Sequence, residues 1–142
     1  MAIKQLSVFV ENKQGKLVEI TKMLADGGIN MRALSIAETR DFGILRLIVN
    51  DTEKACLILS EGGVVVKVTE VVAAELPHRP GSLNATLEVL DKAGINVEYL
   101  YAFLAKSDIG AYVVLRVADN EAAEKALSDA GYTIVDESFD LD

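Results

Sequence analysis

Two short stretches of this chain combine residue types able to hold a small zwitterion. Gly15 precedes an amphipathic pattern and is followed fifteen residues later by Asn30; Gly81 precedes a second such pattern and is followed at the same interval by Asn96. A glycine at a helix start leaves backbone N–H groups open and lets a ligand approach closely, which suits an α-carboxylate. An amide side chain accepts from an ammonium and donates to a carboxylate, so Asn12, Asn30 and Asn96 can hold an amino acid's main-chain groups without adding charge. Glycine and asparagine serve equally well as capping and turn residues, and spacing alone leaves both readings open.

Other chemistries lack their parts. His78 is the only histidine and Cys56 the only cysteine, so there is no histidine pair for a catalytic metal and no paired thiol for redox work. Cys56 aligns with Glu124 on a second-helix pattern, whereas His78 precedes a first-helix pattern, which argues against a Cys–His couple. Gly62 and Gly63 follow a helix and precede a strand, the reverse of a dinucleotide-binding loop. Tyr99, Tyr101, Phe103 and Tyr112 cluster on middle strands of the second half as RNA-stacking aromatics do, but the first half offers only Phe42. We expect no catalytic centre, no metal and no cofactor.

The elements that position the two loops come from an internal repeat. Glu11–Leu17 aligns with Pro77–Leu83 at an offset of 66, and Gly28-Ile29-Asn30 falls on Gly94-Ile95-Asn96. Farther on, Gly43 meets Gly110, Asp51 meets Asp119 and Gly63 meets Gly131, so the second copy carries small loop insertions. Each copy reads strand, helix, strand, strand, helix, strand. Leu6, Val8 and Val10 alternate at period two, as do Val72, Ala74 and Leu76. First helices follow with Leu17, Ile20 and Leu24, or Leu83, Leu87 and Leu90, at helical spacing. Met31–Ala37 with Ile44–Val49, and Val97–Phe103 with Ala111–Val117, form hairpins. Second helices carry Ala55, Ile58 and Leu59, or Ala123, Ala126 and Leu127; Val64–Val68 and Tyr132–Val135 close the copies, with Lys67–Glu70 as linker.

The expected fold class is α+β, two ferredoxin-like βαββαβ modules side by side, residues 1–68 and 69–142, each an antiparallel sheet with its helices on one face. The other sheet face needs cover, and with Tyr99, Tyr101 and Phe103 placed on central strands we expect a homodimer.

The 142 residues are 51% hydrophobic and 25% charged, with a net charge of −8 carried wholly by the half from Val71 onward. That balance opposes nucleic acid, whose binding draws on lysine and arginine neutralising phosphates. No apolar run approaches the ~20 residues of a membrane helix, and no basic-then-apolar leader opens the chain, so a cytoplasmic protein is expected.

At these residues the sequence resembles the ACT domain, a small ligand-binding βαββαβ module of amino-acid metabolism. Val8-Phe9-Val10-Glu11-Asn12-Lys13-Gln14-Gly15-Lys16-Leu17 is similar to the opening of the regulatory small subunit of acetohydroxyacid synthase, and His78-Arg79-Pro80-Gly81-Ser82-Leu83 to the Arg-Pro-Gly-x-Leu turn of other members. As a whole the chain is similar to stand-alone bacterial proteins of two ACT domains. The resemblance implies a non-catalytic sensor of a free amino acid, or a regulatory subunit with an enzyme partner such as acetohydroxyacid synthase. It also implies a ligand held where two ACT domains meet. Asn12 to Leu17 (Asn12, Lys13, Gln14, Gly15, Lys16, Leu17) would form one wall opposite Asn96 and Val97; Pro77 to Leu83 (His78, Arg79, Pro80, Gly81, Ser82, Leu83 among them) would face Asn30 and Met31. With Lys13 and Lys16 flanking Gly15, the first loop is expected to make the stronger site.

Overall fold

A computed structural model describes residues 3–77, 79–104 and 111–136. The chain divides into two compact units, Lys4–Thr69 and the residues from Glu70 onward, the latter also taking in Ile3. The first contains β1 (Ile3–Glu11), α1 (Lys16–Asp26), β2 (Met31–Glu38), β3 (Phe42–Val49), α2 (Thr52–Glu61) and the beginning of β4 (Val66–Leu76). The second contains the rest of β4, then α3 (Ser82–Lys92), β5 (Val97–Leu104), β6 (Ala111–Val117), α4 (Asn120–Asp129) and β7 (Ile134–Val135). Strand order is β2-β3-β1-β4 in the first unit and β5-β6-β4-β7 in the second. These are two ferredoxin-like modules of the expected α+β class.

The repeat holds at the level of single bonds. Phe9 N–H donates to the Val65 carbonyl at 3.0 Å, and Glu75 N–H to the Thr133 carbonyl at 3.0 Å. Positive φ occurs at Gly15 and Gly81, Gly28 and Gly94, and Gly63 and Gly131, each pair falling on equivalent positions. In the first core, Leu6, Val8 and Val10 pack with Leu45, Leu47 and Val49 under Ile20, Leu24, Ala55 and Leu59. In the second, Val72, Ala74 and Leu76 pack with Val113, Leu115 and Val117 under Leu90, Ala123 and Leu127. The period-two alternation of the strands and the helical stripes therefore close on each other as expected.

Three expectations change. Lys67–Glu70 is not a linker between strands but part of the continuous β4: Lys67-Val68-Thr69-Glu70 contains no glycine, proline or asparagine to turn the chain, and its β-branched residues keep the backbone extended. The inward stripe of α3 is Ser82, Thr86 and Leu90 rather than Leu83, Leu87 and Leu90, and Leu17 and Leu83 are 45% and 38% exposed. The helices begin one residue before those leucines, which turns both outward. Finally, Tyr99, Tyr101 and Phe103 lie on β5, the edge of its module, because the second strand of this topology sits outside the third. On the sheet face they share, Tyr101, Tyr112 and Val114 are buried, and Phe103 stacks on Tyr112 at 5.2 Å. The corresponding face of the first module leaves Phe9 and Phe42 about half exposed, at 49% and 54%. The second hairpin loop, with Gly110, lies outside the described residues.

Candidate functional site

Each module begins α1 or α3 from a glycine in the left-handed region, Gly15 at φ 90° and Gly81 at φ 88°, with no side chain capping the helix. A Cβ at either position would meet nothing within 4 Å, so glycine is required by backbone conformation and not by crowding. The second helices are built differently. Asp51 accepts from Lys54 N–H at 3.1 Å and Asp119 from Ala122 N–H at 3.1 Å, ordinary carboxylate caps. The chain thus caps the helices away from the loops and leaves the loop helices with open donors, the arrangement an anion can complete.

Beside each open helix start lies a recess, walled by the end of the first strand, the first helix turn and the turn that leaves the second helix. The first, of about 290 Å³, is lined by Phe9, Glu11, Lys16, Glu19, Met23 and Gly62–Val65 among others. The second, of about 480 Å³, is lined by Glu75–Pro77, Arg79–Ser82, Ala85 and Ala130–Thr133. The two occupy equivalent repeat positions. Of the sequence candidates, Pro77, Arg79, Pro80, Gly81 and Ser82 line the second recess and Lys16 lines the first.

Their electrostatics differ. Around the first loop, Lys13 Nζ lies 3.0 Å from Glu11 Oε2, and Lys16 Nζ lies 3.5 Å from Glu19 Oε2. The hydrogen bond from Lys13, followed by the charges of Lys13 and Lys16, holds the Glu11 carboxyl below its ordinary pKa. Both cations flanking Gly15 are therefore matched by the module's own carboxylates. In the second loop Pro77 replaces Glu11, and Arg79 forms no ion pair among the described residues. Ser82 Oγ, at the first position of α3 in a residue only 9% exposed, is buried without a hydrogen-bond partner among the described residues. A buried hydroxyl left unpaired is costly, and here it lines the recess.

The remaining candidates lie elsewhere. Asn12 N–H donates to the Asp41 carbonyl at 2.9 Å and its amide Nδ2 to the Arg40 carbonyl at 3.4 Å, tying the first loop to the β2–β3 turn. Asn30 N–H donates to Asn50 Oδ1 at 3.0 Å, and its carbonyl accepts from Asn50 N–H at 3.1 Å, fastening the start of β2 to the end of β3. Met31 and Val97 pack against their own module's core, Asn96 is exposed at the start of β5, and Gln14 is exposed in the first loop. None of Asn30, Met31, Asn96 and Val97 lines the recess of its own module. His78 lies outside the described residues.

Sequence reasoning missed Glu75, Ala85 and the turn Ala130-Gly131-Tyr132-Thr133. The signal was present in the pairing of Gly63 with Gly131, which the repeat alignment recorded without assigning it to the site. Among the described residues no group of three or more His, Cys, Asp or Glu is placed to hold a metal ion, and no helix is long and apolar enough to cross a membrane.

Comparison with known proteins places this geometry in a family. No curated protein matches the chain. Among solved structures, protein BT0572 from Bacteroides thetaiotaomicron is 40% identical, superposes with a TM-score of 0.91, and the match covers 97% of this chain and 94% of that one. The ligand-free regulatory subunit of aspartate kinase from Thermus thermophilus shares the fold at 17% identity and a TM-score of 0.65, covering 92% and 94%. The regulatory subunit of aspartate kinase from Thermus flavus does so at 16% and 0.63, covering 92% and 93%. A family model described as an ACT domain pair matches residues 1–139, nearly the whole chain, and the duplicated βαββαβ build agrees with it: this chain belongs to the ACT domain-pair family.

Proposed function

We propose that the chain is a non-catalytic, cytoplasmic regulator of amino-acid metabolism that binds a free amino acid, with the recess of the second module as its stronger site. The observation that carries this reading is the buried, unpartnered Ser82 Oγ beside the uncapped start of α3. A carboxylate there accepts from that hydroxyl and from the open N–H groups of the first helical turn, within reach of the Arg79 guanidinium. Glu75, on the same recess, offers a counter-charge to an α-ammonium. A zwitterion therefore meets both signs of charge, whereas a simple anion meets one unfavourable carboxylate. The first recess has the same backbone but smaller volume and pre-neutralised lysines, which is why we rank it second although its loop is more like known effector loops.

Thermal melting of the full chain with each of the twenty amino acids tests this. Ligand at 100 times its dissociation constant adds about 2.7 kcal/mol. We expect one or a few amino acids to raise the melting temperature by several degrees; no shift from any of them contradicts the reading. The second reading, a dedicated subunit of a biosynthetic enzyme such as acetohydroxyacid synthase, is favoured by the likeness of Val8–Leu17 to that subunit. Copurification of a catalytic subunit whose activity changes on mixing separates it from a free-standing sensor.

A further inference from the structure

We infer, resting on the reading of the second recess proposed above, that its ligand is an amino acid whose side chain carries no charge. Among the described residues that line this recess, Arg79 and Glu75 alone are ionised at neutral pH. One guanidinium and one carboxylate match the α-carboxylate and α-ammonium of a zwitterion, and no charge is left over. A third charge on the ligand would share a partner already engaged and face the like charge of the other, in a space where it has given up water.

The repeat shows which positions set this count. Lys13 of the first loop corresponds to Arg79 of the second, so both loops carry a cation there. Glu11, Lys16 and Glu19, which wall the first recess, correspond to Pro77, Ser82 and Ala85, so three charged walls face three uncharged ones. The charge present only in the second recess is Glu75, in place of Phe9, and it is the one an α-ammonium needs. Around the two charged ends stand Pro77, Pro80, Ala85 and Ala130, whose side chains hold no hydrogen-bonding group, and two of which are rings that cannot turn aside. The recess is also the larger, about 480 against 290 Å³, which leaves room for a side chain beyond the main-chain groups. Such walls favour the burial of apolar surface and offer a charge nothing in return.

Calorimetric titration of the full chain with the twenty amino acids and norleucine tests it. We expect the tightest ligand to be uncharged, and aspartate, glutamate, lysine and arginine to bind about tenfold or more weakly than it. Asparagine against aspartate, glutamine against glutamate and norleucine against lysine separate charge from size, and the uncharged member should be the tighter in each pair that binds. Ala85→Glu puts the first module's residue into the wall without touching Arg79, Ser82 or Glu75. With circular dichroism confirming the fold, it should narrow the gap between lysine and the tightest ligand by about tenfold or more. A charged amino acid as the tightest ligand, a charged member that outbinds its uncharged counterpart, or a gap unmoved by Ala85→Glu would each overturn the inference while leaving the amino-acid site in place. Binding by none of the amino acids would instead overturn the reading beneath it, and the inference with that reading.

Discussion

Around the first recess stand Phe9, Lys16 and Glu19; at the same repeat positions around the second stand Glu75, Ser82 and Ala85. The backbone that frames them is shared, from the left-handed glycine before the helix to the Phe9–Val65 and Glu75–Thr133 hydrogen bonds. What differs is the balance of charge and bulk. In the first module the lysines pair with neighbouring carboxylates and long side chains occupy the space. In the second a proline and small residues clear it, leaving, among the described residues, an arginine without an ion-pair partner and a hydroxyl without a hydrogen bond. Both copies keep a helix start with open N–H groups, and on the proposed reading the side chains of the second suit it better to a ligand.

The comparison breaks most visibly on glycine. Gly81→Val and Gly15→Val both force a branched residue into the left-handed region, each costing about 1–2 kcal/mol in the ligand-free chain. Matched losses in ligand-free melting are therefore expected, while the stabilisation given by an identified amino acid disappears in Gly81→Val and survives in Gly15→Val. Loss in Gly15→Val alone reverses the ranking of the sites.

Ser82→Ala sharpens the contrast by separating binding from stability. Removing a buried unpaired hydroxyl should leave the ligand-free chain unchanged or steadier by about 1 kcal/mol, and should weaken a carboxylate ligand by about 1.5–3 kcal/mol. Calorimetric titration with the same amino acid reads the second effect and thermal melting the first. Lys16→Ala, at the equivalent position, removes an exposed ion pair and should change stability by less than about 1 kcal/mol.

The second helices supply the control. Asp51→Ala and Asp119→Ala each lose one carboxylate cap and should each cost about 1 kcal/mol in denaturant unfolding, without moving the ligand-induced shift. A smaller effect is expected at high pH. Burial, and secondarily the charge of Glu75, pushes the Tyr112 phenol above its ordinary value of 10.0, while its counterpart in the first module is Ile44, which does not titrate. The neutral phenol is favoured in the fold, so its contribution is complete below the ordinary phenol pKa and is lost as pH rises through the raised value. Tyr112→Phe should flatten the alkaline limb of a melting-temperature profile; an unchanged limb argues that this phenol does not couple to folding.

Most of the fold was legible because the repeat made each pattern visible twice: Leu6, Val8 and Val10 face the core as Val72, Ala74 and Leu76 do, and the glycine pair at the helix starts, Gly15 and Gly81, shares one backbone conformation. β4 was misread as strand, linker and strand because equal modules suggest a break, while Lys67–Glu70 has no residue able to make one. Leu83 was misassigned to the core because Ser82 and Thr86 are poor advertisements of burial; the Thr86 hydroxyl is satisfied locally, Oγ1 donating to the Ser82 carbonyl at 3.0 Å. The site was half legible. Loop residues announce themselves by type, but Gly131-Tyr132-Thr133 reaches the recess only through the folding of the last strand beside the first strand of its module, about 60 residues away in sequence, which no local pattern records.

The central claim is that the start of α3 receives an amino acid's carboxylate. Backbone amide spectra of the 15N-labelled chain, titrated with an amino acid that raises its melting temperature, test it residue by residue. Saturable shifts should be largest at the open N–H groups of Leu83 and Asn84 and accompany Ser82, with those of Leu17 and Val18 smaller or arising only at higher concentration. Saturation with the largest shifts at Leu17 and Val18, or with none at either helix start, would contradict the account.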